Sequence, residues 1–362
     1  MAITIQIKRD TASNWTSNAP TLAAGEFGFE TDTGKFKVGD GSTAWASLNY
    51  FEFAAPSGPS YSFQGSTSGY TSGGNAPPFN APPIYCNIID KFSFSSDANA
   101  TDVADLTVER EGTAGQSSAD NGYNSGGYAP TGCVNTIDKF PFSSDSNATD
   151  VGDLTSSRAY TSGQSSASNG YTAAGWDGNT TNVIDKFPFS SDANATDVGD
   201  IITAVNGTAG QSSADNGYNS GGRCGEAYFN VIQKWPFSSD ANATDVGDLT
   251  EARNSVSGQS STTSGYTTTG YSPAGGGYVN TIDKFPFSSD ANATDVGDML
   301  PTSVFPSGGQ SSTANGYSSG GFNRPGNTKN NVIAKFPFSS DGNGTDVGDL
   351  TVARYNTAGQ QV

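Results

Sequence analysis

The chain of 362 residues contains no histidine, two methionines and three cysteines. Cys86, Cys133 and Cys224 are odd in number and form no Cys-x-x-Cys pair, so neither a zinc site nor a full disulfide framework is indicated. No run of eighteen apolar residues occurs, so no spanning helix and no membrane insertion are expected. The opening MAITIQIKRD lacks the apolar core of a secretion signal. Without one, the recurring Asn-Ala-Thr and Asn-Gly-Thr triplets read as turn chemistry rather than glycan acceptors. Basic residues number 17 against 35 acidic ones, a net charge of −18 that would repel phosphates and argues against a nucleic-acid partner. Helix formers are scarce, whereas Gly, Ser, Thr, Asn and aromatic residues abound, which favours short strands and turns. A hydrophobic content of 33% is low for a single thick core and suits many small packed layers.

What is present is a repeat. FSSDANATDVGD occurs unchanged at Phe189–Asp200, Phe237–Asp248 and Phe287–Asp298, with near copies at Phe94–Asp105, Phe142–Asp153 and Phe338–Asp349. The lysines ahead of them, Lys91, Lys139, Lys186, Lys234, Lys284 and Lys335, are spaced 48, 47, 48, 50 and 51 residues apart. Gly-Tyr and Gly-Gln pairs recur at the same period. In the unit Thr113–Arg158, TAGQSS, GYNSGG, VNTIDKFPF and DVGDLTSSR read as four strands, with ADN and SSDSNAT as turns and YAPTGC as a loop. Four antiparallel strands per unit of about fifty residues mark a propeller blade. The expected fold is all-β: a small N-terminal β-domain at 1–53, a linker at 54–60, and a six-bladed propeller of four-stranded blades at 61–362. Strand-like pieces at both ends, SFQGST and TAGQQV, compete for one place in the closing blade, and the sequence leaves the choice open.

The spacing of Gly126, Gly127, Phe140, Leu154 and Arg158 resembles the kelch repeat, and the likeness extends over about four-fifths of the chain. Val151 stands where kelch units usually carry a tryptophan, and Val205 and Ser303 replace the arginine in the third and fifth units.

Three readings compete for the acidic dodecamer. Asp97, Asn99, Asp102 and Asp105, with their repeat equivalents, are candidates for calcium ligands, although the glycine and terminal glutamate of an EF-hand loop are missing. Ser95, Asp97 and Thr101 resemble the sialidase Asp box, which in that family is a turn and not the active site. The third reading, and the preferred one, is that Asp and Asn side chains fix a hairpin turn by accepting from backbone N–H groups two residues on. Six identical copies argue against catalysis, because an active site needs different groups converging on one point. No catalytic residue, no cofactor and no enzymatic activity are expected.

Function is expected where the units differ. The connection between the second and third strands varies in length and chemistry. Its aromatic and arginine residues are the candidate ligand-binding set: Phe79, Tyr85, Tyr128, Trp176, Arg223, Tyr228, Tyr271, Tyr278, Phe322 and Arg324. Alternate connections of a four-stranded blade lie on alternate faces. The variable connections therefore share a face with the equally variable links between units, and the acidic turns occupy the other.

Residues 1–52 stand outside the repeat. Ile3, Ile5 and Ile7 alternate as a strand, and TDTGKFKVGDG reads as a hairpin. So short a segment buries little apolar surface alone and is expected to pack against copies of itself. Arg9, Trp15, Leu22, Gly25-Glu26, Thr31-Asp32-Thr33, Lys37, Gly39-Asp40-Gly41, Trp45, Leu48 and Tyr50 resemble the N-terminal domain of phage major tropism determinants and related tail-fibre proteins. The resemblance implies a trimerising mount that joins other virion proteins. The expected function is that of a virion fibre or appendage whose propeller meets a host cell-surface glycan or protein. The alternatives are a capsid or neck decoration without a receptor, and an enzyme that degrades host polysaccharide.

Overall fold

The computed structural model describes residues 7–51, 63–76, 84–300, 307–323 and 328–362. Two compact units divide the chain, Met1–Ser60 and Tyr61–Val362. The expected linker at 54–60 and the alternating Ile3 and Ile5 lie outside the described residues. Among the described residues no helix is long and apolar enough to cross a membrane.

In the first unit, strand β1 (Lys8–Asp10) pairs in parallel with β2 (Phe27–Glu30), and β2 pairs antiparallel with β3 (Phe36–Val38). The β2–β3 hairpin turns at Gly34, whose φ of +71° suits glycine. A seven-residue helix, α1 (Ala12–Asn18), was not anticipated from the sequence. Thr11 caps it by accepting from the Asn14 N–H, and Ala19 and Pro20 end it. Its purpose in the fold is Trp15, which is buried with Leu22 and Trp45. The two indole rings stack with centroids 4.2 Å apart, and Trp15 Nε1 donates to the Phe29 carbonyl at 3.0 Å. Lys37 is buried beside them, donating to the Trp45 carbonyl at 2.8 Å with its ammonium over the Tyr50 ring.

The second unit contains six four-stranded antiparallel sheets, one per repeat. Sheet 2 is typical: Ala114–Ser117, Asn121–Ser125, Thr136–Pro141 and Thr149–Asp153, in sequence order from the inner edge outward. Sheet 1 differs. Its inner strand, Ala358–Gln361, comes from the C-terminus and pairs with Ser68–Ser72. The C-terminal piece therefore closes the ring. SFQGST instead bonds to the far ends of inner strands, Gln64 to the Ser260 carbonyl and Gly65 to that of Ser311.

Each recurring pair has a packing reason. A Cβ on Gly163 would stand 2.1 Å from the Gly115 carbonyl oxygen, and Gly210, Gly258, Gly309, Gly359 and Gly115 repeat that approach round a closed circle. Only glycine lets six inner strands come this close. The glutamine beside each glycine reaches the next sheet: Gln116 Nε2 donates to the Tyr171 carbonyl at 2.9 Å, and Gln360 to that of Tyr123 at 3.0 Å. The glycine of Gly-Tyr makes room for an aromatic ring on the opposite strand, Gly122 facing Phe140. The tyrosine itself packs on the following sheet, Tyr123 against Phe187 and Phe189. The hydrophobic core is thus divided among sheet junctions. This is the blade arrangement of a β-propeller.

Four junctions also bury an ion pair: Arg110–Asp138, Arg158–Asp185, Arg253–Asp283 and Arg354–Asp90, at 2.9–3.1 Å with all eight side chains fully buried. At the junction that follows Val205, the acid's place is taken by Gln233, which accepts from the Ile202 N–H at 2.5 Å. In the sequence, the other repeat that lacks the arginine, at Ser303, is followed by Ala334 in the acid's place. Charge is lost in pairs because a buried ion left without its partner is costly.

Candidate functional site

The acidic turns do more than turn. Asp150 does accept from the Gly152 N–H two residues on, as do Asp197, Asp245, Asp295 and Asp346 in their repeats. The first aspartate and the asparagine of each dodecamer, however, bond to the preceding sheet. Lys335 pairs with Asp97, Lys91 with Asp145, Lys139 with Asp192, Lys186 with Asp240, Lys234 with Asp290 and Lys284 with Asp341, at 2.5–3.3 Å. Asn99 accepts from the Asp349 N–H and Asn147 from that of Asp105, both at 3.1 Å. The Ala100 and Ala148 N–H groups return bonds to the carbonyls of the same two aspartates at 2.8 Å. The dodecamer is a latch between neighbouring sheets. This corrects the turn-only reading. Of the calcium candidates Asp97, Asn99, Asp102 and Asp105, Asp97 pairs with Lys335 and Asn99 accepts from a backbone amide. Among the described residues no group of three or more Asp, Glu or Cys is placed to hold a metal ion.

The opposite face carries the variable segments. Among the described residues, five of the six connections between second and third strands contain a short two-stranded antiparallel pairing where loops were expected. The start of the connection bridges the link that precedes it: Glu111 pairs with Tyr128, Asn206 with Arg223 and Asn254 with Tyr271, and Ala159 pairs with Trp176 where no hairpin strands form. Links join one another as well. The N–H of Gly112 donates to the Asn356 carbonyl, that of Tyr160 to Gly112, that of Gly207 to Tyr160 and that of Ser255 to Gly207, at 2.6–3.0 Å. This arc of backbone bonds among the described links borders a cavity of about 710 Å³ on the axis. Phe63 lines this cavity and also a second one of about 140 Å³ at the far ends of the inner strands.

Of the residues singled out from the sequence, Tyr128, Trp176 and Arg223 line the cavity. Tyr85, Tyr128 and Trp176 form an arc, with ring centroids 6.1 and 6.4 Å apart. Tyr228, Tyr271 and Tyr278 form another, at 5.7 and 5.0 Å. Arg223 is exposed, and the rings of both arcs are half-buried. Phe322 is buried against Tyr355 and is not displayed. Phe79 and Arg324 lie outside the described residues. Cys133 donates to the Trp176 carbonyl, and Cys224 sits 3.2 Å from the Thr180 hydroxyl; all three cysteines are free thiols.

Sequence reasoning missed the inner circle of the site: Glu111, Tyr160, Asn206, Asn254, Tyr355 and Asn356, all in the links. The signal was available, since these links vary as much as the hairpins do. Glu111 is buried and accepts from Asn356 Nδ2 at 2.8 Å. Burial pushes its carboxyl above the ordinary value, against the hydrogen bonds from Asn356 and Asn75. Tyr160 is likewise shifted upward, first by burial and then by the charge of Glu111.

Residues 5–43 match the family model of the major tropism determinant N-terminal domain. The matched stretch contains Trp15, Leu22 and Lys37, which with Trp45 build the interior of the first unit. The first unit is therefore similar to that domain. No curated protein matches the chain.

Proposed function

We propose that this protein is a virion attachment protein of a bacteriophage, mounted through its first unit and binding a host-surface ligand with the variable face of its propeller. The observation that carries the reading is the match of residues 5–43 to a tropism-determinant domain, joined to a repeat unit whose one variable face gathers unlike side chains. The kelch-like pattern of the repeats fits a scaffold that displays loops, and the six copies of the acidic dodecamer are spent on latches. Binding rather than catalysis suits a face of aromatic and amide groups.

The mount is proposed to be a homotrimer. Ile7 and Phe27 are 43% and 46% exposed on a unit whose buried cluster has three residues, which favours association. The test is to image the virion with antibody against the second unit and to measure binding of the purified chain to host cells. Label at the tail tip with saturable cell binding supports the reading. Label on the capsid with no cell binding supports a decoration protein instead.

A further inference from the structure

Resting on that reading, we infer that the axial cavity of the variable face is a saccharide subsite that takes one uncharged sugar unit of the host ligand. Its volume of about 710 Å³ falls in the range of roughly 300–1,000 Å³ usual for small-molecule pockets. Tyr128, Tyr160, Trp176 and Tyr355 supply aromatic surface. Asn206, Asn254, Asn356 and the Glu111 carboxylate supply hydrogen-bonding groups among them. A pyranose presents the complementary chemistry: C–H faces that pack on rings, and an edge of hydroxyls that both donate and accept. The lining holds one carboxylate, Glu111, and one guanidinium, Arg223, so neither sign dominates it, and the net charge of −18 opposes a strongly anionic sugar.

The repeat supplies an internal control. The second residue of each described link has a left-handed backbone: Gly112 and Gly207 at φ +63° and +66°, but Tyr160, Ser255 and Asn356 at +57°, +58° and +55°. Glycine fits this conformation without strain, whereas an L side chain is strained in it. Two other such non-glycine residues of the second unit, Ala174 and Thr269, are buried at the Gly-Gly position and do not line the cavity. At the cavity, side chains stand in three strained places where glycine serves in two. A tyrosine is the least expected of them. Tyr160, Ser255 and Asn356 all line the cavity, so the strain places side chains where a ligand would meet them.

The experiment is saturation-transfer NMR on the full-length protein. The probes are free glucose, galactose, mannose, rhamnose, N-acetylglucosamine and N-acetylgalactosamine, each at millimolar concentration. At least one sugar should receive saturation, and its Kd should rise at least tenfold in Tyr160→Gly and in Glu111→Gln. Tyr160→Gly relieves a left-handed side chain but removes a half-buried ring, so its near-ultraviolet dichroism is matched to the parent before loss of binding is scored. Transfer to none of the sugars, or transfer undiminished in both variants, overturns the inference. A second arm separates this from the broader reading. Host cells are treated with periodate to destroy surface sugars, or with protease to remove surface proteins. Attachment lost after periodate supports the saccharide. Attachment that survives periodate, is lost after protease and is still weakened by Trp176→Ala keeps the variable face and overturns the saccharide. Attachment indifferent to Trp176→Ala and to Tyr160→Gly overturns both.

Discussion

Lys335 donates to Asp97 across 2.6 Å, so a lysine of the last repeat latches onto the acidic turn of the first. The two residues are 238 positions apart, and the same contact joins every other neighbouring pair of sheets. Ring closure thus rests on this outer latch, on the buried Arg354–Asp90 pair and on the inner strand Ala358–Gln361 that the C-terminus adds to sheet 1. Removing residues 358–362 should be far more damaging than its length suggests. It strips the inner edge of sheet 1, the Gln360–Tyr123 bond and one glycine of the axial circle. The expected outcome is an aggregated or unfolded second unit by circular dichroism. A truncated chain with an unchanged melting curve would show that the ring closes elsewhere.

Arg158 and Asp185 are paired at 2.9 Å with no solvent exposure. Arg158→Val alone should cost about 3–5 kcal/mol, because Asp185 is left as a buried unpaired charge. The pair Arg158→Val with Asp185→Gln copies the natural junction of Val205 and Gln233 and should recover most of that loss. Denaturant unfolding of the four species gives the coupling directly. Additive losses would mean that the two positions do not depend on each other.

The latch aspartates are exposed, and each pair should contribute only about 0.2–1 kcal/mol. Asp97→Asn should therefore lower the melting temperature slightly, and the same change in all six dodecamers should lower it cumulatively. Chelation with EDTA should leave it unmoved. A fall with EDTA that calcium reverses would restore metal to these turns, since a ligand of the folded state raises stability by mass action.

Alkaline pH should act through tyrosine. Burial, the largest cause in each case, pushes Tyr123, Tyr171 and Tyr355 up to about 12, against about 10 in an unfolded chain. The neutral phenols thus contribute stability that is fully present below pH ~10 and is lost as pH rises through ~12. Phenolate absorbance should show these tyrosines ionising only towards pH ~12, as near-ultraviolet dichroism collapses. A single step near pH 10 with the fold intact would contradict this.

The sheets were legible in the sequence because their determinants are local. Gly122 and Phe140 are cross-strand partners within one repeat, and glycine spacing marks each strand edge. The latches were not, because Asp97 and Lys335 meet only once the ring is built. The helix Ala12–Asn18 was missed because composition argued against it, whereas one cap and one buried tryptophan sufficed to hold it. Arg158 and Asp185 could have been paired from sequence: comparing repeats shows Val205 followed by Gln233, and Ser303 by Ala334. Of the residues lining the candidate cavity, the sequence singled out Tyr128, Trp176 and Arg223, but the links were passed over. Tyr160 in particular gives no local sign of its position, because its left-handed backbone is imposed by the bonds between links.

Attachment of the purified full-length protein to host cells, compared between the two faces, tests the proposed function most directly. Trp176→Ala and Tyr228→Ala should each weaken attachment tenfold or more, as truncating an aromatic anchor often costs about 2 kcal/mol. Asp192→Asn, on the latch face, should leave it nearly unchanged once near-ultraviolet dichroism shows all three variants folded. Normal attachment by the two aromatic variants, with loss in the aspartate variant, would place the binding surface on the acidic face instead.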